Sequence, residues 1–222
     1  RSMSDQNLMR RDESLLFRFS GGRATRSGAP FDAIMGRCKT IVSIYYRVAE
    51  AQAELEYRNR GPAPDWIRNA REPVIHAAPA ASFQCVLDFR RVEQQQVLPG
   101  MTPDAEKKLE EAPRLLFSAL RAASLGSDQD LLSLIPDPQY RRTFLKLFTQ
   151  FCPDGKRIET IECRFANDEL SPSVQMHKAT KAEVRSVLSS QFPAVQPTGD
   201  SEPVKVTGTL RAINLEKGVI QV

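Results

Sequence analysis

The stretch SLLFRFSGGRATRSGAPFDAIMGRCKTIVSIYYRV, residues 14–48, decides how the chain folds. Leu15, Phe17 and Phe19 alternate with Leu16 and Arg18, the two-residue period of a strand with one buried face. Gly21, Gly22, Gly28 and Pro30 then break the pattern. Glycine opens backbone conformations closed to other residues, so a loop follows the strand. From Phe31 to Tyr57, Ile34, Cys38, Ile41, Tyr45, Val48, Gln52 and Leu55 recur at steps of three or four, which predicts a long helix. Pro30 suits its first position, where a missing N–H would have been unpaired anyway.

Working outward, residues 58–73 hold Gly61, Pro62, Pro64 and the single tryptophan, Trp66, and read as a loop. Residues 74–78 and 82–89 are short apolar runs; the second alternates Phe83, Cys85, Leu87 and Phe89 against Gln84, Val86 and Asp88, and the two predict an antiparallel pair. After a polar linker over 90–101, Thr102-Pro103-Asp104 is a helix start, with Pro113 expected to kink or restart that helix. Ser127-Asp128 and Asp137-Pro138 look like two further starts, the second leading into a stripe of Tyr140, Phe144, Leu147 and Phe151. Residues 157–165 have strand character, and Thr180 to Glu183 matches a capping box in front of Val184, Val187 and Leu188. A linker rich in Pro, Gly, Ser and Thr spans 191–203. Beyond it, Val204, Val206, Gly208 and Leu210 alternate and residues 214–218 can close a turn, which predicts a hairpin or a partial barrel continuing past residue 222.

The order strand, Gly-Gly loop, long helix, strand resembles a group of uncharacterised bacterial α+β proteins. In that group a strand ending in F-x-G-G-x-A enters a helix, and a later strand opens with Ser-Phe. Here those residues are Phe19, Gly21, Gly22, Ala24, Ser82 and Phe83, with Ala81 where a glycine is expected. Residues 206–218, VTGTLRAINLEKG, resemble the opening of the small C-terminal β domain such proteins carry. The resemblance implies the fold and a bacterial origin; it carries over no activity and no site residue.

Composition bounds the function classes. With 222 residues, 41% hydrophobic and 26% charged, the chain can bury a core without stapling, and no apolar run approaches the roughly 18 residues of a membrane-spanning helix. Residues 1–11 are polar and lack the apolar stretch of a secretory signal, so a cytoplasmic location and no membrane partner are expected. Cys38, Cys85, Cys152 and Cys163 form neither a CxxC pair nor a disulfide framework and read as reduced thiols in a core. The net charge is +4, and it is uneven. Arg10, Arg11, Arg18, Arg23, Arg26, Arg37, Lys39 and Arg47 face only Asp12, Glu13 and Asp32 over the same stretch. A basic face of that kind attracts phosphate without needing a motif.

Candidate chemistry is sparse. His76 and His177 are the only histidines, and no HExxH or Cys/His spacing accompanies them, so no metal site is predicted. A Cys85 thiolate with His76 as base would make a hydrolase. Glu159 with Glu162, or Asp168 with Glu169, could be proposed for acid–base work, but charges on a solvated face explain them more simply. The loop holding Gly21, Gly22 and Gly28 has the layout of a phosphate cradle, yet neither GxxxxGK[ST] nor GxGxxG is present.

The expectation is therefore an α+β fold: a small antiparallel sheet packed against the long helix and a helical middle over residues 12–192, then the start of a small β domain over 203–222. The expected function is that of a non-enzymatic interaction or assembly protein, with a protein partner or self-association, no cofactor and no catalytic residue. The alternative is nucleic-acid binding through a surface of Arg18, Arg23, Arg26, Arg37, Lys39 and Arg47.

Overall fold

The computed structural model of the chain describes residues 14–24, 29–59, 61–78, 83–91, 103–168, 172–192, 212–214 and 219–221. Strand β1 (Leu15–Ser20) realises the alternation read from the sequence: Leu15, Phe17 and Phe19 are buried while Arg18 faces solvent. It is the middle strand of a five-stranded antiparallel sheet, in the order β2 (Arg71–Ala78), β3 (Phe83–Arg91), β1, β4 (Thr160–Phe165), β5 (Val174–His177). Phe17 stands between Cys85 and Cys163, so side chains in register with it share one face. That face is apolar and carries Phe19, Leu87, Phe89, Ile161 and Met176 as well; the other carries Arg18, Gln84, Asp88, Glu162 and Arg164.

Helices cover the apolar face. The longest of them, α1 (Phe31–Gln52) and α3 (Pro103–Ser124), are joined there by α2 (Asp65–Ala70), α4 (Asp128–Leu134), α5 (Pro138–Phe151) and α6 (Lys178–Gln191). Ile34, Cys38, Ile41, Tyr45 and Val48 form the buried stripe of α1, and the Tyr45 ring lies 4.5 Å from that of Phe89. Full burial of such side chains contributes about 1.5–3 kcal/mol each, far more than helix propensity supplies. Phe151 of α5 meets Phe17 edge-on at 5.6 Å, and Phe117 of α3 meets Phe165 at 4.5 Å. No helix among the described residues is long and apolar enough to cross a membrane.

The elements depart from the sequence reading in specific ways. Helix α1 stops at Gln52, short of Tyr57, because the chain turns through Glu54 at φ 55°. The loop expected over 58–73 contains α2, whose Ile67 is buried, and the first residues of β2; Pro73 is tolerated there because β2 is an edge strand. Helix α3 runs through Pro113 as one element. A proline inside a helix costs about 3 kcal/mol. Burial of Leu109, Leu116 and Leu120 on the same helix outweighs it. Thr180 is not the cap of α6 but its third residue: the His177 N–H donates to Thr180 Oγ1 at 3.2 Å. Asp137 caps α5 as anticipated, its Oδ1 accepting from the N–H groups of Gln139 (2.7 Å) and Tyr140 (3.0 Å).

The chain divides into two compact units, residues 1–192 and 193–222. In the second, β6 (Ala212–Asn214) and β7 (Val219–Gln221) pair antiparallel, with Ile213 opposite Ile220. The alternating run over 204–210 and the linkers over 92–101 and 193–203 lie outside the described residues.

Candidate functional site

The antiparallel order brings the end of β1, the start of β4 and the end of β5 to one end of the sheet, with Ser20 opposite Thr160 and Thr160 opposite His177. Both α1 and α6 begin at that end. Leaving β1, the chain turns through Gly21 (φ 76°) and Gly22 (φ 63°), a left-handed backbone that side chains resist. The turn is pressed against the segment before β4: the Arg23 N–H donates to the Arg157 carbonyl at 3.0 Å, and a Cβ on Gly22 would stand 2.5 Å from the Lys156 carbonyl.

Asp154 organises that segment. Its Oδ1 accepts from the backbone N–H groups of Lys156 (2.9 Å), Arg157 (2.8 Å) and Ile158 (3.3 Å). Its Oδ2 lies 3.6 Å from Arg37 Nη2. Partial burial works against ionisation of this carboxyl, but the three N–H donors and Arg37 prevail and draw its pKa down to about 2. Arg37 comes from α1 and is only 9% exposed. It donates from Nη1 to the Ala33 carbonyl (3.1 Å) and from Nη2 to the Cys152 carbonyl (3.4 Å), while its buried Nε has no hydrogen-bond partner among the described residues. Burial lowers its pKa and Asp154 opposes that shift, so the guanidinium works as an internal counter-charge.

Five further cations surround this frame on the outside. Arg23, Lys156, Arg157 and Lys178 are exposed and Lys181 half-buried. Arg157 Nη1 donates to Asp32 Oδ2 at 2.7 Å, next to the first residue of α1. The Lys178 side chain lies across Gly155, where an added Cβ would be 2.9 Å from its Cδ. Burial pushes the Cys152 thiol up to about 12, with the positive charges of Lys181 and Arg37 pulling the other way, which places Lys181 beside the same segment. Asp32, Asp154 and Glu159 are carboxylates among the described residues of this end: Asp32 is engaged by Arg157, Asp154 by the backbone N–H groups and Arg37, and the Glu159 side chain packs on Gly21. Both helix starts add partial positive charge to the excess of cations.

Of the residues singled out from the sequence, Arg23 belongs to this cluster. Arg18 sits on the open face of the sheet, opposite Gln84 and Glu162. Lys39 is exposed further along α1, and Arg26 lies outside the described residues. Arg47 turns inward, donating from Nη1 to Glu50 Oε2 at 2.7 Å and reaching the Arg58 and Gly61 carbonyls at 3.3 Å. The described members of that set, Arg18, Arg23, Arg37, Lys39 and Arg47, point in different directions, because successive helical positions are turned by about 100° and α1 separates Arg37, Lys39 and Arg47. Lys156, Arg157, Lys178 and Lys181 were missed: only the strand register joins them to Arg23.

His76 and Cys85 occupy opposite faces of the sheet. His76 stands opposite Val86, its Nε2 3.0 Å from Arg90 Nη2 and 4.0 Å from Asp88 Oδ2. Cys85 is buried against Cys38, and the Cys38 contact together with burial holds its thiol well above the ordinary range. The pair cannot act as thiolate and base. All four cysteines are free and buried. Among the described residues no group of three or more His, Cys, Asp or Glu is placed to hold a metal ion. Glu162 faces Arg18 across the strands, and Glu169 lies outside the described residues. At the other end of β4 a cleft of about 620 Å³ is lined by Arg114, Phe117, Ser118, Phe165, Asn167, Asp168 and Pro172. No family model, curated protein or solved structure matches the chain.

Proposed function

We propose that the chain is a binding protein that engages nucleic acid through the basic end formed by Arg23, Lys156, Arg157, Lys178 and Lys181. The observation that carries this reading is the convergence of these cations, from three segments far apart in sequence, around two helix starts. Phosphate is the natural counterpart of such an end, since lysine and arginine displace its condensed counterions and backbone N–H groups at helix starts favour anions. Asp154 and Arg37 position the cations from beneath, and Asp32 holds Arg157 outward. A gel-shift titration tests it: wild type binds a mixed-sequence oligonucleotide at low salt, and K156E/K178E/K181E does not. Absence of a shift with wild type at low salt overturns the reading.

A second reading, assembly with a protein partner or a second copy, is favoured by strand β2. It is the first strand in the sheet order, eight residues long, with Ile75 38% exposed. An outermost strand of that length is a template for another strand. Light scattering decides here: a strict monomer in wild type, with no partner co-purifying, ends it, whereas an oligomer broken by Ile75→Lys supports it.

A further inference from the structure

The first residue of α1, Phe31, is 78% exposed, and Met35, one turn further along the same helix, is 38% exposed. The rest of the apolar side of α1 is sunk in the core: Ile34, Cys38, Ile41 and Tyr45 are all at most 5% exposed. A single surface phenylalanine is common and by itself carries no message. The setting of this one is unusual, because it opens α1 at the basic end: its chain neighbour Asp32 accepts from Arg157 at 2.7 Å, so the Phe31 backbone lies beside that cation. Aromatic side chains interleaved with cations are the means by which single-stranded nucleic acid is held: the bases stack on rings and the backbone follows the positive charge.

We infer that the polymer bound at the basic end is single-stranded nucleic acid, one unpaired base of which stacks on Phe31 while the flanking phosphates lie on Arg157 and the neighbouring cations. The inference rests on the function proposed above and names its substrate class. A duplex buries the faces of its bases in its own stack and offers the ring nothing, whereas an unpaired strand offers a π-face at every base. The ring touches that face and the cations touch phosphate, so no group here reads base edges and binding tolerates sequence. Charge complementarity decides the occupant of the exposed Phe31–Met35 edge: Arg157 already has Asp32 as a partner, but an apolar protein surface would offer Lys156 and Lys178 no anion, whereas a phosphate backbone would.

The test is fluorescence anisotropy with the whole chain and a labelled 20-nucleotide DNA strand, free or annealed to its complement. The variants are Phe31→Ala, Phe31→Trp and K178E/K181E. Wild type should prefer the single strand, and F31A should weaken that complex about tenfold while changing duplex affinity by less than about twofold. F31W should restore affinity, and its indole emission should be quenched by the strand, the other tryptophan being Trp66 of α2. Equal affinity for strand and duplex, or an F31A effect that is absent or the same on both, overturns the stacking inference. Nucleic-acid binding itself then still stands if K178E/K181E weakens both complexes. It falls as well if that variant binds like wild type. An unchanged thermal midpoint in F31A, expected for a side chain that touches solvent, ensures that the comparison reads binding.

Discussion

Replacing Asp154 with alanine is expected to destabilise the α+β unit by about 3 kcal/mol, although the residue itself is polar and partly exposed. The magnitude follows from what alanine leaves behind. The N–H groups of Lys156 and Arg157 belong to exposed residues and can turn to water at little cost. The N–H of Ile158, whose residue is fully buried, loses its acceptor, which costs about 1–2 kcal/mol. Arg37, 9% exposed, loses its counter-charge; stripping a buried pair costs about 3–5 kcal/mol, and solvent at Asp154, whose side chain is 34% exposed, reduces that to about 1–2 kcal/mol. Urea unfolding followed by circular dichroism should show the loss as a lower midpoint at unchanged slope, and heating should show a drop of about 6–12 °C. Asp154→Asn keeps one acceptor oxygen without the charge and should lose about half as much.

The same carboxylate gives acid sensitivity with a defined sign. Its folded pKa of about 2 lies below its ordinary value of 3.8, so the stability it contributes is present above about pH 4 and is lost as the pH falls toward 2. The Asn variant should lose less stability across that window than wild type. An Ala variant within about 0.5 kcal/mol of wild type, or equal acid sensitivity in the Asn variant, would refute the reasoning.

Three other outcomes are expected. Gly22→Ala forces a side chain into φ 63° and to 2.5 Å from the Lys156 carbonyl and should cost about 2–3 kcal/mol, whereas Gly36→Ala, inside α1 with open space around it, should gain about 0.5–1 kcal/mol; paired urea melts check both. Glu50, 1% exposed, accepts from Arg47 at 2.7 Å and Arg58 at 3.4 Å, so Glu50→Ala should lower stability by about 3 kcal/mol and Glu50→Gln by less in the same assay. The four buried cysteines should react with a thiol reagent only as the chain opens, at a rate that rises with urea; a fast phase in native buffer would contradict their burial.

The fold was legible where a segment is long and strongly patterned. The alternation of Leu15, Phe17 and Phe19 and the stripe from Ile34 to Val48 each bury a continuous face, and Asp137-Pro138 carries its cap in the sequence. Strand β5 has four residues and α2 six, too few for a period to show; tertiary contacts with α6, α1 and β2 define them. Pro113 does not restart the helix, because burial of Leu109 and Leu116 on either side of it keeps one element where local chemistry alone would stop it. The basic end was legible only at Arg23. Its other members lie more than a hundred residues away, and no local pattern in them says that Thr160 will stand between Ser20 and His177. Arg37 misled for the opposite reason: arginine is usually a surface residue, and here it neutralises Asp154 from inside.

Salt dependence of nucleic-acid affinity is the most direct measurement. With four or five phosphates met by Arg23, Lys156, Arg157, Lys178 and Lys181, log Kd for a single strand should rise with log salt at a slope of about 3. Removing three of those charges in K156E/K178E/K181E should both weaken binding and lower the slope by about 2. A titration that shows no binding, or one whose affinity and slope are unmoved by the triple variant, contradicts the assignment of this end of the molecule to phosphate.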